Sequence, residues 1–260
     1  MAYTTIDDPT DYFNTVLRSG LYGGSDTAFT VGFQPDLIWD KRRSGTSVHA
    51  IFDSVRGFGA SGKVLYSNTA DAEATNALIK SVSSTGFTVT ASSDNTGTLV
   101  DWCWKAGTTG SGTTNGSKAY SYSASPDAGF SVVTYTGNAT AGHLIPHGMG
   151  KVPRLIHVKS RADDNGWTSG TIVSASAWND HGYLYLANAF GTDANQFGAT
   201  PDTTNFRLGT GTGTNGNNGT RVAYCFADVQ GYQKIGKYVG NGNADGSFIY
   251  TGFKPAFLIV

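Results

Sequence analysis

Glutamate is almost missing from this sequence: Glu73 is the single one, against 18 aspartates. Aspartate, with abundant Asn, Ser, Thr and 35 glycines, favours turns and caps over helix interiors, which argues against a helix-rich fold. An excess of charge is lacking too. The formal net charge is -1, which leaves no electrostatic footprint for nucleic acid or for an anionic membrane surface. Cys103 and Cys225 are the only cysteines, too few for a disulfide scaffold, and they point to a chain made and assembled in a reducing cytoplasm. No apolar run reaches the length of a membrane span, and the opening MAYTTIDDPTDYF has neither the basic nor the apolar stretch of a cleaved signal. Catalytic fingerprints are absent as well: no nucleophile elbow, P-loop, His-Glu-x-x-His or EF-hand pattern occurs.

What the chain does contain is an internal repeat. GFQPDLIWDKR (32–42) returns as GKVPRLIHVKSR (150–161) and again as GFKPAFLIV (252–260). In each copy a Gly precedes a Pro, and an apolar run follows; Pro suits the entry to a strand because it lacks a donor N–H. LYGG (21–24) answers TYTGN (134–138), and KYVGN (237–241) opens a third unit. VLYSN (64–68) pairs with LYLAN (184–188), TGFTVTA (85–91) with TNFRLGT (204–210), and LVDWCWKA (99–106) with RVAYCFAD (221–228). Pro35 and Pro153 lie 118 residues apart and Cys103 and Cys225 lie 122 apart, so the repeat is divergent in sequence and its small mismatch in spacing sits in loops.

Within unit 1, TAFTVGF, DLIWDKR, SVHAIFDS, KVLYS, TGFTVTA and TLVDWCWK read as short strands between turn clusters. The expected fold is all-β: tandem antiparallel β-sandwiches of jelly-roll or lectin-like type with a truncated third repeat. The expected boundaries are an arm at 1–20, repeat 1 at 21–107, a linker at 108–129 in which the Tyr-Ser alternation could add a strand, repeat 2 at 130–236 and the start of a third at 237–260. Residues 70–81 are the only helical candidate. Along VDWCWK, Val100, Trp102 and Trp104 share one face, and Val222, Tyr224 and Phe226 repeat it, which reads as core. Cys103 and Cys225 then read as two buried thiols rather than a disulfide or a nucleophile.

The polar clusters yield no expected catalytic residue, metal or cofactor. His143 and His147 are four apart, but Pro146 and Gly148 make a helix there improbable, so the stretch reads as a turn rather than a zinc site. Asp163, Asp164 and Asn165 could offer oxygens to calcium, and solvated turns are the favoured alternative. Asp53, Arg56 and His49 sit close in sequence, and a structural ion pair is favoured over acid–base work because TIVSASAWND in the second unit keeps none of these groups.

GFQPDLIWDKRRS, HAIFDSVRG, VDWCWKAG, GFSVVTYTGN, HGMGKVPRLIHVKSR, VAYCFADVQGYQKIGKYVGNG and DGSFIYTGFKPAFLIV together resemble a family of repeat proteins from marine and cyanobacterial tailed phages. Members are regarded as tail-fibre-like or other virion-surface structural proteins. Two features depart from that pattern: Asp40, where an apolar or neutral residue is expected, and LRSGLYGG, which weakens the YTGN signature. The resemblance implies a non-enzymatic virion structural protein, assembled in the host cytoplasm, carried on a phage tail or surface appendage, and facing a host glycan or receptor. Its implied partners are other tail or virion proteins, with neither nucleic acid nor membrane insertion. A carbohydrate-binding, lectin-like module array is the alternative. Tyr3, Ile6, Asp11, Tyr12 and Phe13 are the candidate anchor contacts, because no repeat counterpart is recognised for residues 1–20. A homo-oligomer, with a trimer favoured, follows from the side-by-side association of elongated attachment proteins. For the third copy, the expectation is continuation into a distal region, over pairing with the preceding unit or with a neighbouring copy.

Overall fold

The computed structural model describes residues 4–92, 95–171, 178 and 180–260. Unit 1 runs through β1 (Phe13–Ser19), β2 (Thr27–Thr30), β3 (Leu37–Arg42), β4 (His49–Asp53), β5 (Lys63–Tyr66), β6 (Ala74–Thr75), β7 (Ile79–Ser83), β8 (Gly86–Val89) and β9 (Thr98–Trp104). The hairpin β10 (Thr108–Thr113) and β11 (Ala119–Ser125) follows. Unit 2 runs through β12 (Phe130–Thr136), β13 (His143–Pro146), β14 (Leu155–Ser160), β15 (Thr168–Thr171), β16 (Asp180–Tyr183), β17 (Gly191–Thr192), β18 (Phe197–Ala199), β19 (Asn205–Leu208) and β20 (Thr220–Phe226). One turn of helix, α1 (Thr212–Asn215), precedes β20.

The repeat is visible in the topology. Unit 1 orders its strands β1-β9-β3-β4-β5-β6 in one sheet and β2-β8-β7 in the other. Unit 2 repeats both orders strand for strand, as β12-β20-β14-β15-β16-β17 and β13-β19-β18. The ladders are antiparallel, and the expected all-β sandwich fold is what the chain adopts.

The large sheets of the two units also pack on each other, which makes a stack of four layers. Neighbouring residues on the inner strands therefore point into different cores. Ile38, Phe52, Val64 and Cys103 face the small sheet of unit 1, while Leu37, Ile51, Leu65 and Trp104 face unit 2. From the other side, Val132, Val222 and Tyr224 enter the shared core, and Val133, Ala223 and Cys225 enter the core of unit 2. A sheet buried on both faces needs continuous apolar runs, whereas one covered on a single face alternates. β9 and β20 are buried almost throughout, and β2 and β13 alternate. The recurring aromatic face of VDWCWK and VAYCF is thus the seam between the units.

Several expected boundaries change. The arm at 1–20 is not separate, because β1 pairs with β9 from Phe13↔Trp104 to Ser19↔Thr98 and is the counterpart of β12. The true match is LRSG (17–20) with TYTG (134–137), four residues upstream of LYGG. Gly20 and Gly137 fix it: each donates its N–H across the same position of the ladder, to Gly97 and Gly219. A Cβ at Gly20 would lie 2.4 Å from the Asn95 carbonyl oxygen, and one at Gly137 2.3 Å from that of Gly216. Nor is 108–129 a linker. The Tyr-Ser alternation of 119–125 gives β11 a strand period, and the β10–β11 hairpin extends the large sheet of unit 2 alongside β12.

The helix expected at 70–81 does not form. That stretch holds β6 and β7, with Asn76 turning the chain by accepting the Leu78 N–H and Ile79 buried in the core of unit 1. Residues 237–260 form no strand, although their sequence matches the opening of a repeat.

Candidate attachment surface

The N-terminal segment and the third-repeat segment meet on one face of unit 1. Asp8 caps the 3-10 turn Pro9–Asp11 by accepting the Thr10 N–H at 2.9 Å. Ile6 is buried, and Gly231, at a φ of +77°, packs against Thr4, where an added Cβ would lie 3.0 Å from the Thr4 Cβ. The Tyr12 hydroxyl reaches the Asp127 carboxylate at 3.3 Å, its ring meets Tyr232 edge-on at 6.2 Å, and the Lys105 ammonium lies 5.4 Å over it. Burial and the Asp127 charge raise the Tyr12 pKa above the usual tyrosine value. Phe13 packs between Trp104, at 4.9 Å, and Phe257, at 5.3 Å.

Of the candidate anchor residues, Ile6, Tyr12 and Phe13 are therefore engaged by the chain itself. Asp11 is exposed beside exposed Asp7 and Asp8, and Tyr3 lies outside the described residues. The signal that could have reassigned Phe13 was present: FNTV (13–16) matches FSVV (130–133).

The other clusters are internal ties. Arg56 donates to Asp53 at 2.5 Å and to the Tyr224 hydroxyl of unit 2 at 3.1 Å, and that hydroxyl donates to Asp53 at 2.6 Å. Glu73 adds a second bridge between units, holding Arg161 through contacts of 2.8 and 2.9 Å. Asp53 and Arg56 thus form a buried ion pair, while His49 stands apart, edge-on to Trp39 at 6.2 Å. The compared stretch of unit 2, TIVSASAWND, lies mostly outside the described residues.

The Asp163–Asn165 loop already holds a cation. The buried Lys159 ammonium donates to the carbonyls of Ser160 (2.9 Å), Asp163 (3.2 Å) and Asn165 (2.7 Å). Burial brings its pKa down to about 8. His143 bridges Asn215 (2.9 Å) and Thr114 (2.7 Å), whereas His147 bonds the Asp202 carbonyl at 3.1 Å, so the two rings serve different contacts. Among the described residues no group of three or more His, Cys, Asp or Glu side chains is placed to hold a metal ion. Cys103 and Cys225 are free and buried at matching positions, and burial pushes the Cys225 thiol up to about 12.

A groove of about 530 Å³ opens between unit 1 and the β10–β11 hairpin, lined by Gln34, Asp36, Thr109, Ser111 and Tyr122 among others. The Asp36 carboxylate is occupied from within, accepting from Ser54 (2.6 Å), Ser123 (2.9 Å) and the Ala106 N–H (2.8 Å). It ties the hairpin to unit 1. Among the described residues no helix is long and apolar enough to cross a membrane.

No curated protein and no solved structure matches the chain. A family match spans the third-repeat segment and both sandwiches, beginning at the residue that caps the 3-10 turn. Over residues 8–260 the chain belongs to the family described as a domain of unknown function, DUF7483.

Proposed function

We propose that the protein is a structural component of a phage virion, of tail-fibre or tail-appendage type, that presents fused β-sandwiches to the host surface. The observation that carries this reading is the shared aromatic core between the units. It joins two repeats into one stiff body through buried Trp104, Phe130, Trp167 and Tyr224 rather than through a flexible linker. Such a body suits a load-bearing appendage, and the phage-repeat resemblance supplies its setting. Attachment to the particle is assigned to the N-terminal face, where exposed Asp7, Asp8 and Asp11 offer charge to a basic neighbour. Assembly takes place in the host cytoplasm, as a homotrimer, and the action is non-enzymatic.

Immunogold labelling of purified phage particles with antibody raised against the chain tests the proposal. Label along the tail or its appendages is expected, and particles free of label would overturn it. Light scattering tests the trimer. The groove between Gln34 and Tyr122 favours a second reading as a carbohydrate-binding module, since an aromatic ring beside hydroxyl and amide groups is the chemistry that binds sugars. Glycan binding that is lost in Tyr122→Ala would favour that reading.

A further inference from the structure

Five Asn-Gly pairs occur in the chain, at Asn115, Asn165, Asn215, Asn218 and Asn241. In such a pair the glycine nitrogen can close on the asparagine side-chain carbon, because glycine has no Cβ to hinder it. The step needs a free asparagine amide, a glycine N–H that can give up its proton, and a place for the resulting charge. Four of the five are held back. Asn115 is tied at both ends of its amide, donating to the Gly142 carbonyl at 3.1 Å and accepting the Leu144 N–H at 2.9 Å. Asn215 is fully buried, and its amide is tied to Asn138, Thr140, Gly209 and His143. Asn218 accepts from Lys118 at 2.6 Å, and the Gly219 N–H is engaged by the Gly216 carbonyl. Asn241 donates to the Asp245 carbonyl and accepts the Asn243 N–H. Asn165 differs. Its side chain is exposed, and among the described residues the Gly166 N–H donates to no acceptor.

Lys159 supplies the place for the charge. Its buried ammonium lies 2.7 Å from the Asn165 carbonyl oxygen, which belongs to the same peptide group as the Gly166 nitrogen. When that nitrogen loses its proton, negative charge moves onto this oxygen, and a fixed cation beside it stabilises the ionised peptide as an oxyanion hole does. Packing imposes the glycine: a Cβ at Gly166 would lie 2.1 Å from the Tyr185 ring. Unit 1 keeps the lysine without the pair. There Lys41 donates to the Arg42 carbonyl at 2.8 Å, and the loop that follows reads RRSGT.

We propose that Asn165 is a site of self-modification, converted through a succinimide to aspartate and isoaspartate, with the Lys159 ammonium stabilising the ionised Asn165–Gly166 peptide. The Gly166 nitrogen gives its proton to water and bonds to the Asn165 side-chain carbonyl carbon. The side-chain nitrogen takes up a proton and leaves as ammonia. Water then adds to either ring carbonyl and opens the succinimide, so the sum is asparagine plus water giving acid plus ammonia. The product falls on the tie between the units. Asp164 accepts the Ala72 N–H at 3.2 Å, and the Trp167 indole donates to the Tyr66 carbonyl at 2.7 Å. Isoaspartate inserts a backbone methylene between these two contacts and loosens the loop as the protein ages.

Peptide mapping by mass spectrometry, on the full chain incubated folded near neutral pH and again in denaturant, reads all five pairs at once. In the folded chain Asn165 is expected to convert roughly tenfold or more faster than each other pair, and in denaturant the five rates should converge. A rate at Asn165 no higher than at Asn115 or Asn241 overturns the proposal. Lys159→Met separates charge from looseness. A lysine that only steadied the loop would protect Asn165, so its loss would speed conversion. The expected result is the opposite, a rate lowered roughly tenfold or more, and an unchanged or faster rate overturns the assignment. If that variant does not fold, the pH profile of the parent chain decides. Lys159 faces Asp163, Asp164, Asp71 and Arg221, and burial brings its pKa down to about 8. The rate at Asn165 should climb with hydroxide below about pH 8 and flatten above it, where the cation is lost, while the other pairs climb throughout. An unbroken climb at Asn165 overturns the role of Lys159.

Discussion

Where β1 holds Arg18, β12 holds Tyr135; where β3 and β9 hold Asp40 and Asp101, β14 and β20 hold Val158 and Ala223. All six side chains are buried at equivalent points of two sheets with one strand order. In unit 1 the guanidinium donates to Asp101 at 2.6 Å, to Asp40 at 2.5 Å and to the Asn95 side chain at 2.5 Å. In unit 2 the phenol spans the same gap, and its hydroxyl donates to the Thr214 carbonyl at 2.7 Å. The fold accepts either solution, so the apolar alternation and the crowded glycines specify it, and the identity of the buried polar group is free to vary. A buried ionic trio and its apolar replacement are often close in net stability, but a broken trio is not.

The largest effect is therefore expected from breaking the trio. Arg18→Ala leaves two carboxyls facing each other in the interior and is expected to cost about 3–5 kcal/mol. Tyr135→Phe at the matching position strands only one carbonyl and should cost about 1–3 kcal/mol. Denaturant unfolding of the two variants measures the ratio, and equal losses would show that the trio is not a coupled unit. Next in size is the transplant Arg18→Tyr/Asp40→Val/Asp101→Ala. It should recover the loss to within about 1 kcal/mol of the parent or exceed the parent by about 1–4 kcal/mol. A transplant no better than Arg18→Ala would mean that the surrounding side chains of unit 1 have adapted to charge.

The departures from the phage-repeat pattern are explained by the same trio. Asp40 and the Arg18 of LRSG stand in different motifs, and each alone looks like drift. The structure makes them one ion pair. Sequence alone could not join them, because the partners lie 22 residues apart across β9 and only the register of the ladder brings them together. What the sequence made plain were features carried by local period: the strands, the aromatic stripe and the matched cysteines. What it hid depended on layers. β1 is hidden because its match, LRSG, begins four residues before the LYGG motif, and the linker reading of 108–129 fails because a Gly- and Thr-rich stretch can also make an edge hairpin when a neighbouring strand supplies its ladder. Of the candidate anchor residues, the apolar Ile6 and Phe13 pack within the chain itself.

Acid should separate the two units by sign. Burial pulls the His157 pKa down to about 4, and it lowers those of His143 and His147 as well. A depressed base takes up its proton in the unfolded chain first, so unit 2 loses stability as pH falls from about 6.5 towards 4. His157 alone would contribute about 3 kcal/mol to that loss. Asp40 behaves oppositely. Burial and the neighbouring Asp101 charge raise its pKa well above the ordinary 3.8, so the folded state holds the proton and unit 1 gains as pH falls towards 3.8. Hydrogen exchange between pH 7 and 4, read separately on β12–β20 and β1–β9, is expected to show protection falling in the first faster than in the second. His157→Gln should flatten the unit 2 response, and an unchanged slope would place the acid sensitivity elsewhere.

The smallest effect sharpens the comparison furthest. Cys103 and Cys225 lie on the inner faces of β9 and β20, each within the core of its own unit, and burial raises both thiols well above the usual cysteine value. Neither should react with a disulfide reagent in the native state, and each becomes a reporter of its unit opening. Cys103→Ala and Cys225→Ala are each expected to cost only about 1 kcal/mol, because a sulfur leaves a small cavity. At neutral pH the shared core, with Trp104 at 6.3 Å from Phe130 and 6.5 Å from Phe226, couples the units, so both thiols should label at one rate with one denaturant dependence. Near pH 5 three depressed histidines weaken unit 2 against His49 alone in unit 1, and Cys225 should then label ahead of Cys103. Faster labelling of Cys103 at either pH would break the assignment of acid sensitivity to unit 2, and different rates at neutral pH would show that the aromatic seam joins the units without making them cooperative.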